Sequence, residues 1–146
     1  MTEQMFSQEY IAYILSDEAK ALQGQRPALS FGDRVWILGD ASVGIVKQVW
    51  TSSSRSIRAS YDVMAPDLGG PTIFEGLRED FAWLPTLFQL IGVIEGAGWE
   101  WSRNPGIWQA WKPTAVHGTA SEWTTIRDTE DMLAAAQLAV RSMEGK

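Results

Sequence analysis

Apolar and polar positions change period four times along this chain. From Glu3 to Gln23, Phe6, Tyr10, Ile14 and Asp17 fall on one helical stripe, with Ile11, Leu15 and Leu22 beside it. That spacing predicts an amphipathic helix stopped near Gly24, followed by a Gln25-Arg26-Pro27 linker. A helix this short is marginal alone in water, so it has to dock on its own chain or on a second copy. The period then falls to two. Asp33–Leu38 and Gly44–Trp50 read as strands around a Gly39-Asp40-Ala41-Ser42 turn, and Ile57–Val63 as a third strand after the polar Thr51–Ser54 loop. Asp67-Leu68-Gly69-Gly70-Pro71 is a turn cluster, and Thr72–Gly76 and Asp80–Leu84 supply two further short strands.

From Pro85 the helical period returns. Leu87, Leu90, Ile91 and Ile94 form an i, i+3, i+4, i+7 stripe, Pro85 suits the first helical position, and Gly96 or Gly98 suits a left-handed cap. A hairpin follows, turning at Asn104-Pro105-Gly106, where proline presets φ and glycine accepts a positive φ. Glu122–Ile126 reads as one more strand. A final helix opens at Asp128 or Thr129, its first turn favoured by Glu130 and Asp131. Met132, Ala135, Ala136, Ala139 and Met143 line one face of it, with Leu133 and Val140 adjacent; so many alanines imply close approach to a sheet or helix. The expected class is α+β. An N-terminal helix over 1–25 precedes a small, bent, antiparallel barrel-like sheet over 31–84. An α-β-β-β-α unit over 85–146 shares a core with that sheet.

Two resemblances attach to these segments. Gly32-Asp33-Arg34-Val35-Trp36, Gly44-Ile45-Val46, Tyr61-Asp62-Val63 and Glu79-Asp80-Phe81 resemble SH3-like and KOW-like small barrels, whose partners differ too widely to imply one function. Leu84-Pro85-Thr86-Leu87 with Leu90-Ile91, Gly98-Trp99, Trp108-Gln109-Ala110 and Thr129–Ala136 resemble small phage-encoded proteins of the ABA sandwich fold. That resemblance implies an accessory protein of a phage or other mobile element, without a catalytic role or site residues to carry over.

Composition narrows the function classes. Hydrophobic residues make up 45% and charged residues 21% of the chain, an ordinary globular balance. A net charge of −6 argues against a dedicated nucleic-acid binder. No cysteine is present, which excludes disulfides and thiolate metal sites and fits a reducing cytoplasm. The N-terminus does not read as a signal peptide, and the apolar stretch Phe81–Gly98 is too interrupted for a membrane span.

Eight tryptophans stand out, six of them between Trp83 and Trp123. Trp99, Trp101, Trp108 and Trp111, with Arg103 and Glu100, are the candidate ligand- or partner-binding residues. Aromatic walls with a few polar groups suit a pocket, and the same residues suit a core. A two-residue turn at Pro105-Gly106 sets Trp101 opposite Ala110 and Glu100 opposite Trp111. A one-residue bulge sets Trp99 opposite Trp111 instead. Either way both faces of the hairpin carry tryptophan, and one face needs a cover: the barrel, the first helix, a second copy, or a ligand. A homodimer sharing apolar surface from Phe6, Tyr10, Trp108 or Trp111 is the expected assembly.

Other chemistry is thinner. His117, the single histidine, with Ser121 and Glu122 forms no nucleophile motif. Glu95 and Glu100 flank a turn without a defined cleft. No metal-ligand set and no phosphate loop is present, and no cofactor is expected. Lys47, Arg55 and Arg58 beside Trp50 form a short basic strip, the one hint of nucleic-acid contact.

Overall fold

The computed structural model describes residues 6–51, 59–65, 70–113 and 120–144, with side chains of 120–122 excluded. Among the described residues, four α-helices and eight strands form an α+β protein with two antiparallel sheets. The chain divides into two compact units, one built from residues 26–85 and the other from residues 1–25 with 86–146.

The unit of residues 26–85 is a curled half-barrel of five strands: β1 (Arg34–Ile37), β2 (Ser42–Trp50), β3 (Ser60–Ala65), β4 (Thr72–Leu77) and β5 (Phe81–Trp83), in the order β4-β3-β2-β1-β5. Alternation puts Val35, Ile37, Val46, Tyr61, Val63 and Ala65 on the buried face, where they meet Leu29, Phe81 and Trp83. A register shift between Val46 and Gln48 bends β2 at Lys47. β3 starts at Ser60 rather than Ile57; the expected strand residues Ile57 and Arg58, and most of the Asp67–Pro71 turn cluster, lie outside the described residues. Gly44 is required by packing, since a Cβ there would lie 2.5 Å from Val63 Cγ1 and 3.1 Å from the Met64 carbonyl oxygen.

Arg26, expected in a linker, instead belongs to a polar clasp. Its guanidinium donates to Asp33 Oδ1 and Oδ2 at 2.8 and 3.0 Å and lies 5.5 Å from the Trp83 ring centre. Asp33, 5% exposed, also accepts from the Ser30 amide at 2.8 Å, so its burial is compensated. The bond to Asp33 raises the pKa of Arg26. Arg78 donates to the carbonyls of Arg26 and Phe81 at 2.9 and 2.7 Å, and burial lowers its pKa.

The second unit holds helices α1 (Gln8–Ile14), α2 (Lys20–Gly24), α3 (Leu87–Gly96) and α4 (Asp131–Glu144), and a sheet of β6 (Glu100–Asn104), β7 (Ile107–Pro113) and β8 (Ala120–Arg127), in the order β6-β7-β8. The expected single N-terminal helix breaks into α1 and α2. Ser16 Oγ turns back onto the Tyr13 carbonyl at 2.5 Å, and Asp17 and Glu18 place negative charge at the negative end of α1. Glu18 accepts from the Tyr13 hydroxyl at 3.1 Å; burial, then this bond, raises the Tyr13 pKa. Ser7 caps α1 through the Tyr10 amide at 3.0 Å, and its hydroxyl donates to Glu130 just before α4.

Two further boundaries, the starts of α3 and α4, differ from expectation. α3 begins after Thr86, not at Pro85. Thr86 Oγ1 accepts from the Gln89 amide and Gln89 Oε1 from the Thr86 amide, a reciprocal capping box. Gly98, at φ 86, follows the end of α3. α4 begins at Asp131 rather than Asp128 or Thr129, because Asp128 adopts φ 57 and its amide bonds the Gly106 carbonyl at 2.9 Å. The buried face of α4 is wider than the expected stripe. Ala134, Ala135, Ala136, Leu138, Ala139, Val140 and Ser142 are all buried, while Met132 and Met143 are only half-buried. The cause is central placement: α4 packs on α1, α2, α3, β7 and β8. Alanine there lets several neighbours approach at once.

Candidate functional site

Turn chemistry sets the hairpin register. Gly106 has φ 76, the conformation that the position after Pro105 needs, and a two-residue turn pairs Asn104 with Ile107. Counting back, Arg103 faces Trp108, Ser102 faces Gln109, Trp101 faces Ala110 and Glu100 faces Trp111. The two-residue alternative is the observed one. The bulged register, with Trp99 opposite Trp111, does not occur, and Trp111 instead pairs across β7–β8 with Trp123.

The six candidate residues are thereby separated onto two faces. On the inner face, Trp108 is 2% exposed and stacks on Trp101 at 5.6 Å between ring centres. Trp108 Nε1 donates to Asp131 Oδ1 at 3.0 Å, and Arg103 grips Asp131 with bonds of 2.7 and 3.1 Å. The Trp108 bond, then Arg103, lowers the pKa of Asp131. Negative charge in the first turn of α4 is also favoured by the helix dipole. Trp101 donates to Glu95 Oε2 at 2.9 Å. Trp99, 5% exposed and outside β6, is buried. Trp101, Trp108 and Arg103 thus anchor α3 and α4 to the sheet.

Alternation leaves Glu100, Ser102, Asn104, Ile107, Gln109, Trp111, Trp123, Thr125 and Arg127 on the outer face, three rows of three across β6, β7 and β8. Trp111 and Trp123 stack there with ring centres 5.1 Å apart, and Trp111 Nε1 donates to Glu100 Oε1 at 3.1 Å. Trp123 is 59% exposed. A fixed aromatic pair on an exposed sheet face is what a contact surface offers: large apolar area, already ordered. Trp123 was not among the expected site residues. Its alternation with Thr125 and Arg127 carries the signal, but only after β8 is paired with β7.

Burial removes Phe6, Tyr10 and Trp108 from the surface expected to be shared in a homodimer. They are 5%, 0% and 2% exposed, and Phe6 stacks on Tyr10 within the chain. Trp111 alone of that set stays on an outer face. Glu95 and Glu100 accept from different tryptophans, Trp101 and Trp111.

The remaining candidates lie apart. Arg55, Arg58 and His117 fall outside the described residues, as do the side chains of Ser121 and Glu122. Lys47 sits 5.8 Å from the Phe31 ring centre. Trp50 Nε1 donates to Asp62 Oδ2 at 3.0 Å, and Asp62 faces Glu75 across β3–β4. These residues, with Ser60, Gly76 and Leu77, line an open cleft of about 440 Å³. Two carboxylates beside Trp50 repel the phosphates of a nucleotide whose base would stack there. No group of three acidic or histidine side chains capable of holding a metal ion occurs among the described residues. None of the helices described is long and apolar enough to cross a membrane. No protein family, curated protein or solved structure matches this chain.

Proposed function

We propose that the protein is a non-enzymatic interaction module whose contact surface is the outer face of β6–β7–β8. The observation that carries this reading is the Trp111–Trp123 stack, with Trp123 more than half exposed on a sheet whose other face is filled by Trp108, Ala110 and Ile126. Exposed tryptophan on an ordered strand is costly to leave in water and typical of residues that dominate binding. Homodimerisation is the favoured mode. A role as a phage or mobile-element accessory protein rests on the resemblance of residues 84–143, and a cytoplasmic setting on the lack of cysteine.

The test follows the indole N–H signals of the eight tryptophans by NMR, as the protein is concentrated and as host extract is added. The Trp111 and Trp123 signals are expected to shift or broaden under at least one condition, with Trp83, Trp99 and Trp108 unmoved. Invariant Trp111 and Trp123 signals under both conditions would refute the reading. A second reading, small-molecule binding, draws on the cleft at Trp50, Asp62 and Glu75. It requires a ligand that raises the melting temperature and perturbs the Trp50 indole signal.

A further inference from the structure

The outer face has one acidic and one basic corner, and they are diagonal to each other. Its rows across the sheet run Glu100, Trp111, Trp123, then Ser102, Gln109, Thr125, then Asn104, Ile107, Arg127. Glu100 and Arg127 occupy opposite corners, and the seven positions between them are uncharged. Neither corner residue forms an ion pair with another described residue; the Glu100 carboxylate accepts from the Trp111 indole N–H. The face is therefore neutral in a chain whose net charge is −6.

We infer that a second copy of this chain is the partner of this face, packed sheet on sheet about a two-fold axis lying along the Trp123–Asn104 diagonal. This rests on the interaction-module reading and names its occupant. A two-fold interface requires a patch complementary to itself. Rotation about that diagonal exchanges the two charged corners, so Glu100 meets the partner's Arg127 and Arg127 meets the partner's Glu100. Trp123 lies on the axis and meets the partner's Trp123, while Trp111 meets the partner's Thr125. The strands of the two sheets cross near a right angle, one of the two ways in which sheets pack face to face. An axis along or across the strands leaves both charges without an opposite partner. Neutrality also separates this occupant from a basic partner, which would be drawn to more acidic surface elsewhere on the chain.

Size sets the strength. Three strands five residues long cover about 14 Å by 17 Å. That is well under the roughly 800 Å² per partner of a standard interface. A weak dimer follows, exchanging with monomer between about 10 μM and about 1 mM.

Charge reversal tests both the occupant and the axis. Sedimentation equilibrium of the full chain is expected to show concentration-dependent dimer. Glu100→Arg and Arg127→Glu should each weaken it about tenfold or more by setting like charges opposite. The double variant should recover dimer, and so should an equimolar mixture of the two single variants, because each supplies the corner the other needs. Arg127 makes no side-chain bond among the described residues, so Arg127→Glu is expected to keep the wild-type unfolding curve and guards against misfolding as the cause.

A wild type monomeric throughout the range overturns the inference. The broader reading survives that result if host extract still shifts the Trp111 and Trp123 signals, and falls if it does not. A dimer insensitive to both reversals, or reversals not rescued by mixing, overturns the diagonal arrangement.

Discussion

Replacing Trp108 with alanine is expected to cost far more stability than replacing Trp123, although both are tryptophans on the same sheet. Trp108 is 2% exposed, and truncating a buried tryptophan costs about 3–5 kcal/mol. The lost bond to Asp131 adds about 1 kcal/mol, held low because that carboxylate is 44% exposed and keeps Arg103. A total of about 4–6 kcal/mol is a large part of the roughly 5–15 kcal/mol that holds a domain folded. Trp123 is 59% exposed and stacks on one cross-strand aromatic neighbour, so Trp123→Ala is expected to cost about 1 kcal/mol or less. Trp108→Phe, which keeps a ring but no donor, should fall between them. Urea unfolding followed by far-ultraviolet circular dichroism measures all three. If the two units unfold separately, only the transition of the unit holding Trp108 should move. A Trp108→Ala cost below about 1.5 kcal/mol, or an equal cost at Trp123, would refute the division into an anchoring face and a contact face.

Other perturbations probe separate parts of the account. Asp131 has a depressed pKa, so its stabilisation should be complete above the unfolded carboxylate value of about 3.9 and lost as pH falls through the lower folded value. Acid unfolding of Asp131→Asn should lack that step. Asp33→Ala should destabilise the half-barrel by about 2–4 kcal/mol in urea, discounted for the half-exposed Arg26 it leaves unpaired; a loss under 1 kcal/mol would mean the clasp is inert. Gly44→Ala is expected to cost about 1–3 kcal/mol, because its Cβ meets the side chain of Val63 and the backbone of Met64. Thermal scans check this, and a neutral result would show that β2 and β3 can separate freely.

Local chemistry made much of the fold legible. Period-two alternation located β1, β2 and β4, and Pro105-Gly106 determined the register that sets Trp101 opposite Ala110 and Glu100 opposite Trp111. What stayed hidden was set at long range. The N-terminal stripe is continuous through Leu15, yet Ser16, Asp17 and Glu18 end the helix there by bonding and charge rather than by hydrophobic pattern. The alanines of α4 announce close packing but not that five elements surround them. Asp131 looked like a helix-dipole residue, and its role as the shared acceptor of Trp108 and Arg103 needs residues more than twenty positions away. Trp123 was invisible as a site residue for the same reason, since its meaning depends on β8 lying beside β7.

On the proposal made above, Trp111 and Trp123 mark a face covered by another copy of the chain. Sedimentation velocity of the wild type beside Trp123→Ser, over the same concentration series, tests it most directly. The wild type is expected to sediment faster as concentration rises, while Trp123→Ser stays monomeric with a nearly unchanged unfolding curve. Identical sedimentation of the two proteins at every concentration would contradict the claim.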